Sequence, residues 1–132
     1  MPWRVTYVPE FEDWLRCQSD EFREDLIAYM IALEDQGPQL GRSHVDTLEG
    51  SRFANMKELR VQHNGDPYRV LFAFDLRRRA VLLIGGNNRG DSRWHEKNVP
   101  IADARFEAWQ EKLRKPQKKS GKRRKERRER GR

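Results

Sequence analysis

The chain has a single cysteine, Cys17, so it can form neither an internal disulfide nor a cysteine-rich zinc site. It has no long apolar run either. The longest, Ala80 to Ile84, falls far short of the ~20 residues that cross a bilayer, and no charged-then-apolar leader opens the sequence. A soluble protein of a reducing cytoplasm, away from membranes, is expected. Histidines are scarce: His44, His63 and His95 are widely spaced and lack Cys or paired-carboxylate companions, so no metal site is expected. With 132 residues, 36% of them hydrophobic, the chain is long enough for one domain with a modest core and too short for two.

Charge is what the sequence has in excess, at 37% of residues and a net of +7. Its placement is uneven. Residues 1–114 carry 17 Lys and Arg against 19 Asp and Glu, whereas residues 115–132 carry 11 against 2. The excess positive charge therefore lies entirely in the tail, which has no apolar residue to pack apart from Pro116. A folded domain over 1–114 and a disordered basic extension over 115–132 are expected. Lys118, Lys119, Lys122, Arg123 and Arg124 in that extension are candidate contacts to an RNA backbone, which such a segment can hold without reading sequence. A purely solubilising extension is the alternative.

Hydrophobic spacing organises the rest. Trp3 to Val8 alternates like a short strand that ends at Pro9. Phe11, Trp14 and Leu15, then Phe22, Leu26, Tyr29, Met30 and Leu33, recur at helical spacing. Ser19 between the two sets is a plausible N-cap, and Gly37-Pro38 closes the second helix. Residues 39–53 read as a loop. From Met56 the period becomes two, through Val61, and alternation resumes over Tyr68, Val70, Phe72 and Phe74; Asn64-Gly65 between these runs is a strong hairpin signal. Ala80 to Ile84 suits a buried third strand, Gly85 to Gly90 a flexible loop, and residues after Pro100 a final helix. The predicted class is α+β, order β-α-α-β-β-β-α, with an antiparallel sheet and its helices on one face. The opposite, more polar face would then be open to a ligand.

Two residues on that face stand out. If the hairpin is symmetric about Asn64-Gly65, Arg60 falls directly opposite Arg69, an unfavourable pairing of like charges. It makes sense if an anion bridges them, and paired guanidinium groups suit a phosphate. Glu58, on the same face, offers the alternative of a surface ion network. Lys57 is in phase with the core face, and either snorkels out or contacts phosphate. His63 at the hairpin turn reads as a solvated loop residue. His95 follows the glycine-rich segment beside Arg89, Arg93 and Trp94, where an imidazole could transfer a proton, or could merely mark a helix entry. Gly85 to Gly90 lacks the Lys-Ser/Thr ending of a P-loop, so a nucleotide cofactor is not expected.

The segments Asn55 to Val61, Pro67 to Asp75 and Leu82 to Gly86, followed by Arg93-Trp94 and Ile101-Ala102-Asp103, resemble the phage-Gp49-like branch of the RelE/HigB toxins. The resemblance covers roughly residues 3 to 114. It implies the α+β fold above, cleavage of messenger RNA at the ribosome without a metal or cofactor, and an antitoxin partner, often a helix-turn-helix protein. With that activity, the residues already singled out would be Arg60, Arg69 and His95 as catalytic candidates and Lys57, Arg89 and Arg93 as RNA contacts. Where such relatives have a lysine after Gly-Gly-Asn and a tyrosine after Trp, this chain has Asn88 and His95. The same fold also hosts toxins that poison DNA gyrase by protein binding, and a third reading is a non-enzymatic nucleic-acid binder working through its tail.

Overall fold

The computed structural model describes residues 3–41 and 44–114. The elements are β1 (Arg4–Tyr7), α1 (Pro9–Arg16), α2 (Asp20–Gln36), a 3-10 turn (Gly37–Gln39), β2 (Val45–Thr47), β3 (Met56–His63), β4 (Asp66–Phe74), β5 (Arg79–Asn87) and α3 (Trp94–Arg114). The sheet has the strand order β1-β5-β4-β3-β2. The α+β class and the expected element order hold, and the meander is β3-β4-β5. Two strand pairings go beyond the expectation. Val45–Thr47, read as loop, adds to the sheet as a short antiparallel edge beside β3, and β1 joins the other edge parallel to β5. The sheet is therefore mixed.

Local chemistry sets most boundaries. Pro9 occupies the first turn of α1, where its missing N–H costs no intrahelical bond. Ser19 caps α2, its Oγ accepting from the Phe22 N–H at 3.0 Å, as the sequence predicted. The β3–β4 turn uses Asn64 at φ 52° and Gly65 at φ 79°, the two positive values that a two-residue hairpin of matching twist requires.

The helices occupy both faces of the sheet rather than one, and two adjacent glycines show why. A Cβ on Gly85 would lie 2.7 Å from the Trp14 ring of α1, and a Cβ on Gly86 would lie 2.7 Å from Trp94 of α3. Neighbouring strand residues point to opposite faces, so α1 and α3 lie on opposite sides. These glycines are thus part of β5, not of the loop expected there; they let an indole approach the backbone from each side. Phe11, Phe22, Leu26 and Leu33 of α1 and α2 are buried on one side, Val99, Ala102 and Phe106 of α3 on the other. Each of these side chains except Ala102 contributes about 1.5–3 kcal/mol.

α3 begins at Trp94, ahead of the expected start after Pro100, which lies inside it. Pro100 falls in the second turn, where its missing N–H forgoes the intrahelical bond to the Glu96 carbonyl. Two buried carboxylates fix this helix. Asp103 accepts from Ser51 Oγ at 2.5 Å and the Arg52 N–H at 3.0 Å, tying the 51–53 segment to α3. Asp75 accepts from Trp109 Nε1 at 3.1 Å, Arg79 Nε at 2.9 Å and two backbone N–H groups of its own turn.

Candidate active site

The β3–β4 register sets Arg60 directly across from Arg69, as the symmetry of the hairpin predicts. The pair shares its sheet face with Glu58 and with α3, which runs along β5 and leaves the β3 side more open. Between the two guanidinium groups lies a carboxylate of the protein itself. Glu58 is 6% exposed; its Oε2 accepts from Arg60 Nε at 3.0 Å and faces Arg69 Nε at 3.5 Å. Its Oε1 is hydrogen-bonded to Nε2 of His95, which the first turn of α3 brings to the face. The anion that offsets the facing like charges is thus internal, the alternative that Glu58 offered in the sequence.

Arg60 has a second partner. Its Nη2 donates at 2.8 Å to Asp46 Oδ2 on β2, the residue that pairs with Glu58 across the β2–β3 ladder. The hydrogen bond that Arg60 donates to Glu58, reinforced by both carboxylate charges, raises the Arg60 pKa above its already high ordinary value, so this group is a permanent cation. Arg69 donates from Nη1 to the Tyr68 carbonyl at 3.0 Å and is the more covered of the two, at 20% side-chain exposure against 39%. His95 is partly exposed at 41%. Two guanidinium groups and an imidazole therefore converge on one buried carboxylate, with Arg60 and His95 open to solvent. Such a cluster can hold a phosphate and exchange a proton beside it.

The other sequence candidates lie elsewhere. Arg89 sits at the hairpin tip, paired with Asp66, whose carboxyl it holds below the usual carboxylate range with help from Asn87. Arg93 lies flat on Glu96 through Nε and Nη2, both at 3.0 Å, and that bond raises its pKa. Among the described residues neither has a hydrogen bond or ion pair to Glu58, Arg60 or Arg69. Lys57 faces away from the cluster, its Nζ 3.4 Å from Thr47 Oγ1. Lys118, Lys119, Lys122, Arg123 and Arg124 lie outside the described residues.

His63 is not the solvated turn residue expected. It ends β3, is 8% exposed, pairs through Nδ1 with Asp25 Oδ2 at 2.7 Å and meets the Phe22 ring edge-on at 5.4 Å. The β-period continues one residue further than its polar neighbours imply. Sequence reasoning missed Asp46, because β2 is too short to show a period, and it missed the buried roles of Asp75 and Asp103. The described residues hold no group of three His, Cys, Asp or Glu side chains that could bind a metal ion.

Residues 13–107 match the family model described as phage derived protein Gp49-like. A Mycobacterium tuberculosis protein named "Putative toxin HigB3" is 42% identical over 106 residues, which is 80% of this chain and 91% of that relative. A second protein of that organism, "Putative toxin HigB2", is 41% identical over 101 residues, 75% of this chain and 50% of the relative, so the chain spans half of its length. Among solved structures, the Escherichia coli toxin RelE, in a double arginine-to-alanine mutant in the free state, matches with a TM-score of 0.53 at 13% identity. That match covers 76% of this chain and 99% of RelE, and it supports the fold. By sequence and by fold, the chain belongs to the phage-Gp49-like family of RelE/HigB-type toxins.

Proposed function

We propose that this toxin cleaves messenger RNA at the ribosome without a metal, and thereby stops translation and growth. The observation that supports this reading is the convergence of Arg60, Arg69 and His95 on one carboxylate at the open part of the sheet face. RNA carries its own nucleophile. The 2′-oxygen attacks the adjacent phosphorus, the bond to the 5′-oxygen breaks, and a 2′,3′-cyclic phosphate and a 5′-hydroxyl result. One proton must leave the 2′-hydroxyl, one must reach the 5′-oxygen, and the extra charge on the phosphorane must be offset. Arg60 and Arg69 suit the last task, because a guanidinium binds phosphate oxygens in pairs. His95 suits the proton transfers. An incoming phosphate competes with Glu58 and Asp46 for the guanidinium groups, and Arg60 is exposed enough for it to do so.

A toxin of this family acts opposite a cognate antitoxin. We take that partner to be a small helix-turn-helix protein, and the tail with Lys118, Lys119, Lys122, Arg123 and Arg124 to add affinity for ribosomal or messenger RNA. Arg89, Arg93 and Lys57 would border the RNA path. Purified protein incubated with ribosomes and a defined message should cut the message, leaving cyclic-phosphate ends. Gyrase-dependent DNA breaks with intact RNA would assign it instead to the gyrase poisons, and RNA binding with neither would reduce it to a binder. Expression alone should arrest growth, and co-expression of an adjacent helix-turn-helix gene should relieve the arrest; harmless expression of folded protein would overturn the toxin role.

A further inference from the structure

We propose that Glu58 is the positioning residue of this site, fixing which nitrogen of His95 meets the substrate as well as where the two arginines lie. The inference rests on the ribonuclease reading for its kinetic consequence, though not for its structural one. Among the described residues Glu58 is the one side chain that joins all three candidates: Oε2 takes Arg60 and Arg69, and Oε1 takes His95. It is buried on β3, a central strand held by pairing on both sides, so its position is set by the sheet and not by a mobile loop.

An ionised carboxylate can only accept hydrogen bonds, so the proton of a neutral His95 ring stands on Nε2 and is donated to Glu58. The lone pair is then on Nδ1. The ring makes no other hydrogen bond among the described residues, and at 41% side-chain exposure Nδ1 is the nitrogen left to take a proton from a 2′-hydroxyl. Once it has done so, the imidazolium faces the same carboxylate, which stabilises the cation until it returns the proton to the leaving 5′-oxygen. Atoms and charge balance: the proton moves from the 2′-oxygen to Nδ1 and on to the 5′-oxygen, and Glu58 stays ionised throughout. The logic is that of a carboxylate holding a catalytic imidazole in one tautomer. Glu58 meanwhile aligns both guanidinium groups, which a phosphate oxygen can approach from the open side.

Two measurements on the full-length protein test this. The first uses no RNA: nitrogen-15 NMR of the histidines, followed upward in pH until the His95 ring is neutral, reads its tautomer directly. The parent should show the proton on Nε2; in Glu58→Gln, whose amide can donate to Nε2, the population should move to Nδ1. The second is single-turnover cleavage at varied ribosome concentration. Glu58→Gln should lower the maximal rate roughly 10²–10⁴-fold, the range that general acid–base catalysis contributes. Its half-saturating concentration should stay the same or fall, because removing a competing anion favours phosphate binding. A purely structural Glu58 would instead raise that concentration and leave the tautomer unmoved. Glu58→Asp, which keeps the charge, should restore the Nε2 tautomer in part and some of the rate.

A parent with its proton on Nδ1, or a Glu58→Gln protein cutting at the parent rate, overturns the proposal. If the parent cuts no RNA, the ribonuclease reading fails alone. The tautomer shift then still decides whether Glu58 positions His95.

Discussion

Arg60 and Arg69 illustrate how one buried carboxylate changes the meaning of a pair. Facing arginines alone would repel, and removing either would relieve the sheet. With Glu58 between them the sign reverses, because each guanidinium offsets part of a carboxylate that is 6% exposed. Arg69→Ala should therefore abolish most cleavage and also lower stability by about 1–3 kcal/mol, the cost of taking a partner from a buried charged group. Chemical denaturation alongside cleavage checks it, and a variant more stable than the parent would refute the bridge. His95 is tested separately. His95→Ala should lower the single-turnover rate roughly 10²–10⁴-fold with the fold intact. His95→Tyr should restore part of it, because a phenol can still donate a proton to the leaving oxygen although it is a poorer base than an imidazole. Identical rates in all three proteins would leave His95 a helix-entry residue only.

Strands and helices here are placed by close contacts that single atoms can block. Gly86 admits the Trp94 ring at the start of α3, and that start is what carries His95 to Glu58. A methyl group at that position must push the indole away, so Gly86→Ala should cost about 1–3 kcal/mol and weaken cleavage together. Thermal unfolding would show it; an unchanged midpoint would mean that α3 docks independently of that contact. A second element-level tie joins the hairpin tip to the segment after β5 through Asp66 and Arg89. The Asp66 carboxyl is held below its ordinary value by Arg89, so the folded state binds its proton less readily than the unfolded state. The stabilisation is fully present above about pH 4, the unfolded value, and is lost as pH falls through the lower folded value. A carboxyl-carbon NMR titration should place the Asp66 midpoint below that of free aspartate, and shift it back in Arg89→Ala. Coincident midpoints would dismiss the tie.

At the scale of the whole molecule, the charge is divided: residues 1–114 are slightly acidic and residues 115–132 are strongly basic. Truncation after Arg114 should leave the domain folded, since the buried core runs from Val8 to Phe106, yet weaken ribosome or RNA binding. The log of affinity should then fall less steeply with the log of salt, because fewer counterions are released. Affinities measured from about 50 to 200 mM salt decide it, and equal slopes would make the tail a solubility device. Much of the domain was legible beforehand, because local chemistry carries the signal: the Ser19 cap, the Asn64-Gly65 turn and the alternation along β3 and β4 each act within a few residues. That local periodicity also determined the Arg60–Arg69 pairing, since a two-residue turn fixes the register of both strands. Four features depended on groups distant in sequence. These are the parallel seat of β1 beside β5, the division of the helices between two faces, the burial of His63 against Phe22 and Asp25, and the meeting of His95 with Glu58. Each is settled by which surfaces exclude one another when the layers pack, as at Gly85 and Gly86, and a pattern of neighbours along the chain holds no record of it. The sequence thus determined most of the elements and the arginine pair; only the tertiary structure decided the edge strand β2, the early start of α3, and that a buried carboxylate and an imidazole would complete the site.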